Sequence, residues 1–286
     1  MDKLKVIDFR LRPPMGDFKS SYFFNHDQMA KYQRQQRMEQ SASAYELDMD
    51  KLLQEMEESG TVIGVAQANI DLHVSNDTIA DIVNAYPKKF VGCIDLDWHD
   101  TKGALYDIDK YILNGPCAGI TCEPAWLFNG EPMPFDDARL YPIFEKCQEN
   151  DIFVIYPTGM GYDKLENGTP ERLDKVAREF PEMTIVVSHA GWPWVNETCW
   201  IANKRPNVYL NPDQYIFNTP GMYDYVIAIN NMAQDKMIYG SCYPFVSLQA
   251  GIDYTMNLGI NDEAMPKYMY RNAAKVLKID PDTLEL

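Results

Sequence analysis

The side chains able to do chemistry cluster at a few places where an apolar run stops. The stretch IVVSHAGWPW (185–194) delivers His189 to the end of such a run, just before a Gly-Trp-Pro turn. An imidazole titrates near neutrality, so at a strand end it is a candidate general acid or base. Arg10 and Arg12 leave a second run together. A guanidinium fork binds a carboxylate bidentately, and in a water-poor pocket that interaction is far stronger than on an exposed surface. Cys242, in YGSCYP (239–244), is a small thiol whose thiolate neighbouring cations would stabilise, making it a nucleophile or a proton donor. Cys122 and Glu123 leave a fourth run, and strand alternation turns one inward and the other out. Each also has a plainer reading. His189 can be satisfied by backbone, Cys242 can be packing, and the arginines can be neutralised by a carboxylate such as Asp8, Glu123 or Asp213.

What must position these residues is a repeated switch between extended and 3.6-residue patterns. A first strand over 5–10 is stopped by Pro13 and Pro14. The segment 15–44 is polar but carries Phe18, Tyr22, Phe23, Phe24, Met29, Tyr32 and Met38, and it is long for a connection. It reads as an ordered, partly helical cap over the mouth of the fold rather than a solvated linker. Beyond it the pattern predicts helix 45–59, strand 61–70, helix 77–86, strand 90–96, helix 103–113, strand 118–124, helix 138–149, strand 152–158 and helix 169–180. The strand ending at His189 follows, then helix 195–203, strand 208–211, and two units ending in strand 237–240 and helix 246–258. A helical segment over 263–277 closes the chain. Eight strand-helix units predict an α/β fold, a closed (β/α)8 barrel of one domain over 1–286, with its chemistry at the carboxyl ends of the strands.

Composition removes several functions. Lysine and arginine number 26 against 42 acidic residues, a net charge of −16, so a nucleic acid would meet repulsion. No stretch approaches the roughly 18 apolar residues of a membrane span, and the start lacks an apolar leader, so a soluble cytoplasmic protein is expected. The six cysteines lie far apart in a chain long enough to bury its own core, so free thiols are expected. No glycine-rich phosphate loop appears, and no nucleotide cofactor is indicated. The acidic surface permits a homodimer without requiring one.

Five stretches, in order and spread over nearly the whole chain, resemble the amidohydrolase-2 branch of the amidohydrolase superfamily, which holds carboxymuconate-semialdehyde decarboxylase type enzymes. VIDFRLR (6–12) stands where that family opens Ile-Asp-x-His-x-His, and GITCEP (119–124) resembles its fourth strand. SHAGWP (188–193), YGSCYP against the family's Gly-Ser-Asp-Tyr-Pro, and YRNAAKVL (270–277) complete the set. In the family a divalent metal, often zinc, is held by the two first-strand histidines, a fifth-strand histidine and the eighth-strand aspartate, while the sixth-strand histidine activates water. The resemblance carries those ligand positions onto Arg10, Arg12, Pro157 (or Tyr156 with a slipped register) and Cys242, and leaves only His189 in place. Guanidinium cannot ligate a metal and would repel one.

The expectation is an enzyme that hydrolyses, decarboxylates or moves a proton on a small anionic organic acid, with arginine charge standing where the metal would stand. His189 is the general acid/base and Cys242 assists. Arg10, Arg12, Glu123, Trp192 and Tyr243 bind substrate, with Gln67, Asn69, Asp97, Trp98, Trp126 and Trp194 lining the pocket. His26 ranks next among the histidines. No cofactor is expected. The alternative is a soft zinc site drawn from Cys122, His189, Cys242 and a carboxylate. A catalytically inactive barrel that binds a small acid or a protein is the reading from another class.

Overall fold

The computed structural model describes residues 4–126, 131–159 and 164–286. Seven parallel strands pair in sequence order, β1 (Val6–Asp8), β2 (Thr61–Gln67), β3 (Phe90–Asp95), β4 (Gly119–Thr121), β5 (Phe153–Pro157), β6 (Ile185–Ser188) and β7 (Val208–Asn211). Helices α1 (His26–Gln36), α2 (Ala42–Glu46) and α3 (Met49–Ser59) fill the long connection after β1. Then α4 (Asn76–Ala85), α5 (Thr101–Ile108), α6 (Tyr141–Glu149), α7 (Pro170–Glu179), α8 (Val195–Lys204) and α9 (Met222–Asn230) follow β2 to β7 in turn, and α10 (Leu248–Met256), α11 (Ala264–Pro266) and α12 (Asn272–Leu277) end the chain.

Strand alternation divides the core in two. Ile7, Ile63, Val65, Ile155 and Val186 point to the barrel interior, which Ala273, Ala274 and Val276 of α12 pack against. The residues between them, among them Val6, Ala66, Val154, Val187 and Leu210, face the helices. A parallel sheet covered on both faces needs such continuous apolar strands, which is why β6 reads Ile-Val-Val-Ser. The helices are signalled locally as well. Asp48 caps α3 by accepting from Lys51 N, and Gly60 ends it at φ 80° in the left-handed region that glycine enters freely.

The eighth strand expected at 237–240 is a correction. It is reduced to one parallel bridge between Leu210 and Met237. Closure is nevertheless made: Ile238 N donates to Leu210 O (2.8 Å), Phe9 N donates to Tyr239 O (3.0 Å), and Leu11 bridges Tyr243. The ladder fails because competing partners take its groups. Tyr239 N donates to Tyr268 O, Asn211 Nδ2 donates to Ile238 O, and Ser241 N donates to the Asp8 carboxylate. The helix expected over 45–59 likewise divides, because Leu47 adopts φ 53° between α2 and α3.

Register sets the site. Pro157, Ser188 and Asn211 lie side by side across β5, β6 and β7, so these strands end flush. The residues just past the strand ends, Arg10, Asn69, Glu123, His189 and Asp213, therefore emerge around one rim.

Candidate active site

Over that rim lies a cavity of about 450 Å³. Arg10, Arg12, His189 and Cys242 line it from the barrel, and Phe23, Lys31, Tyr32 and Gln35 line it from the segment between β1 and β2. Trp126, Gln214, Tyr215 and Phe245 are also among its walls. His189, Ala190, Asp213 and Cys242 all hold positive φ, 62°, 43°, 41° and 61°. Such backbone costs of order 1–3 kcal/mol per residue, and it collects where side chains must be aimed.

His189 Nδ1 lies 2.8 Å from Asp213 Oδ1, and its main-chain N donates to Asp213 Oδ2 at 3.2 Å. A carboxylate only accepts, so Nδ1 carries the proton and Nε2 keeps its lone pair. The ring lies parallel to Trp126 (centroids 6.0 Å apart) and edge-on to Tyr215 (4.9 Å). Burial pushes the imidazole below its usual pKa and outweighs the pull of Asp213, so the resting ring is neutral.

The two arginines differ in their partners. Arg10 Nη1 donates to Gln67 Oε1 (2.7 Å), and its Nε lies 3.7 Å from Asp213 Oδ2. Arg12 Nη1 donates to Cys242 Sγ (3.6 Å) and to Tyr243 O (3.2 Å), and its guanidinium lies 4.1 Å over the Phe23 ring. Among the described residues no carboxylate forms an ion pair with Arg12, although it is only 4% exposed. Burial works against both charges. Asp213 and its neighbours reverse that for Arg10, while burial and the Arg10 charge lower Arg12.

Glu123 is the inward member of its pair. Its carboxylate accepts from Asn69 Nδ2 (2.6 Å), and burial lifts its pKa to about 7 against the pull of Arg10 and Arg12. Cys122 turns outward into the helix-facing core beside Cys147, away from the cavity. Cys242 is a correction in charge: burial pushes its thiol up, and Arg12 does not overcome it, so the sulfur is a thiol rather than a stabilised thiolate.

Trp192 and Tyr243 are neighbours of the cavity and not part of its lining. The Trp192 ring stacks behind Tyr215 (5.1 Å), and its Nε1 donates to Pro220 O. The Tyr243 hydroxyl is bonded to Ser43 Oγ (2.7 Å), and only its carbonyl reaches the site, through Arg12. Asp8 spends its carboxylate on Arg10 N, Ser241 N and Ser241 Oγ, so it ties the barrel closure instead of pairing an arginine. His26 begins α1 on the surface against Tyr45, and His73 and His99 line separate small pockets. Tyr215 and Gln214 were not foreseen. Their one signal was a carboxylate two residues past a buried strand end, at Asp213, followed by a polar-aromatic pair.

The donor set does not fit the metal that the family resemblance implies. Two guanidiniums stand at the β1 end and offer donors only. Among the described residues no three His, Cys, Asp or Glu side chains converge as a metal site. Cys122 points away, which also removes it from the soft zinc site considered as an alternative. No helix among the described residues is long and apolar enough to cross a membrane.

Comparison with known proteins adds a family. The chain is 27% identical over 202 residues to a 2-amino-3-carboxymuconate-6-semialdehyde decarboxylase of Dictyostelium discoideum, a match covering 59% of this chain and 55% of that enzyme. It is 20% identical over 257 residues to a gamma-resorcylate decarboxylase of a Polaromonas strain, covering 75% of this chain and 78% of the relative. An uncharacterized TIM-barrel protein from Bordetella bronchiseptica superposes with a TM-score of 0.90 at 35% identity, over 96% of this chain and 99% of the other. The amidohydrolase family pattern itself runs over residues 8–279, from the last residue of β1 to just past α12, and by that span the chain is a member of the amidohydrolase family, in its amidohydrolase-2 branch.

Proposed function

We propose that this protein is a metal-independent lyase of small unsaturated organic acids, removing a carboxylate as CO2, with hydrolysis of a carboxylate-bearing substrate as the other chemistry open to the same site. The observation that carries this reading is Arg12, a buried guanidinium with no carboxylate partner among the described residues, in one cavity with the His189–Asp213 pair. A buried charge left uncompensated costs several kcal/mol, so the site is built for an anion that arrives with the substrate. The two named relatives are decarboxylases, which favours the lyase outcome.

In this mechanism Arg12 holds the substrate's anionic group and donates a further hydrogen bond to a carbonyl oxygen conjugated to the carbon that loses CO2. As the carbon–carbon bond breaks, its electron pair moves through the conjugated system onto that oxygen, where the guanidinium stabilises it more strongly than in the ground state. One proton must then reach the carbon that lost CO2. His189 Nε2, having taken a proton from a substrate hydroxyl or from water, returns it there, with Asp213 stabilising the transient imidazolium. Trp126, Tyr215 and Phe245 give the pocket apolar wall surface for the leaving group. In hydrolysis the same Nε2 takes its proton from the attacking water.

The test is CO2 release across a panel of aromatic and unsaturated carboxylic acids. His189→Gln is expected to lower kcat about 10²- to 10⁴-fold with unchanged folding, while dialysis against a chelator leaves the rate intact. Turnover unaffected by His189→Gln defeats the assignment of the base. Turnover lost to the chelator and restored by zinc defeats metal independence.

A further inference from the structure

The same cavity has a third cation, at its rim. Lys31 lies on α1, four residues before Gln35, so the two share a helix face, and both line the cavity. Charge makes this unusual: the chain carries 42 acidic residues against 26 basic ones, yet the lining holds Arg10, Arg12 and Lys31 and no aspartate or glutamate. Arg10 is matched by Asp213. Arg12 is not, and among the described residues no carboxylate forms an ion pair with Lys31. Two cations without an ion-pair partner among the described residues therefore face one pocket, Arg12 buried at the strand end and Lys31 exposed to solvent at the mouth. A monoanion on Arg12 would leave the other unmatched.

We infer that the substrate is a planar dianion, with one anionic group on Arg12 and a second read by Lys31, and that Lys31 is the residue that selects dianions over monoanions. This rests on the reading of Arg12 as an anion site. The walls suit a flat, conjugated skeleton between the two charges: Tyr32 stacks on Phe245 at 4.1 Å, and Phe23 lies beneath Arg12. Because α1 belongs to the connection after β1, selectivity sits on an element separate from the strand ends that hold His189 and Asp213.

Calorimetric titration with benzoate, phthalate, isophthalate and terephthalate at fixed ionic strength tests this. Wild type is expected to bind at least one of the three dicarboxylates about tenfold more tightly than benzoate. Lys31→Gln is expected to abolish that margin while changing benzoate affinity less than about twofold, and Arg12→Gln to weaken every probe. Wild type that binds no dicarboxylate better than benzoate overturns the inference, as does a Lys31→Gln variant that weakens all probes alike or none. If wild type binds none of the four, or Arg12→Gln changes nothing, the anion site at Arg12 itself falls, a result distinct from failure of Lys31 alone.

Discussion

Arg10 and Arg12 leave the same strand two residues apart and are buried to nearly the same depth, 5% and 4% exposed, yet their surroundings are opposite in kind. Arg10 is matched in charge from within: Gln67 accepts from its Nη1, and the carboxylate that also holds His189 lies 3.7 Å from its Nε, which is buried without a hydrogen-bond partner among the described residues. Arg12 faces a thiol, a carbonyl and an aromatic ring, none of which carries the charge it would need. A protein that needed only to fill this space would neutralise both or remove both. The asymmetry separates a guanidinium that builds the site from one that waits for a ligand, and the two should fail differently when replaced.

Arg10→Gln should cost the most stability. Removing one partner of a buried pair leaves Asp213 uncompensated, for a loss of about 3–5 kcal/mol in urea unfolding. Arg12→Gln should break the comparison in the other direction. Its folding free energy is expected to hold or to rise by up to about 3 kcal/mol, because the uncompensated buried charge goes with it, while affinity for a carboxylate falls roughly a hundred- to a thousandfold. Equal stability losses in the two variants would erase the distinction between them.

How much of this was legible beforehand depended on range. The barrel and the residues at its strand ends follow from short patterns: β6 announces itself in four apolar or small residues, and His189, Arg10, Arg12 and Cys242 stand directly after such runs. The pairing of His189 with Asp213 joins two loops 24 residues apart and depends on β6 and β7 ending flush, which no local pattern encodes. Asp213 was legible only as one of three carboxylates able to meet an arginine. Adjacency misled at Trp192 and Tyr243, which follow functional residues in sequence but turn to Pro220 and Ser43. The thiol of Cys242 was misjudged because neighbouring cations are visible in a sequence and depth of burial is not.

Glu123 sharpens the contrast, since it lies within the field of both arginines and still titrates high. Its pKa is raised from 4.5 to about 7, so the folded state holds its proton more tightly than the unfolded chain does. The stability this contributes is complete below pH 4.5 and is lost as pH rises through about 7, a change of about 3 kcal/mol. Glu123→Gln should remove that slope: the variant matches wild type near pH 4.5 and is the more stable of the two near pH 8. Unfolding curves that decline in parallel for both proteins would mean that the carboxyl is ionised throughout and that Arg12 is better neutralised than its hydrogen bonds indicate.

The smallest effect is expected at Cys242, where the comparison predicts a sulfur that supports Arg12 and attacks nothing. Burial holds the thiol protonated, above its ordinary value of 9.0, and a neutral sulfur accepting from a guanidinium contributes on the order of 1 kcal/mol. Cys242→Ser keeps a small acceptor at the same place, so turnover should fall no more than about fivefold, with the loss in KM rather than kcat. Alkylation of wild type by iodoacetamide should be slow at neutral pH and accelerate only in alkali, because the thiolate is the reacting form. Rapid alkylation at neutral pH, together with a serine variant that folds but does not turn over, would make Cys242 the nucleophile and move Arg12 from ligand binding to thiolate stabilisation.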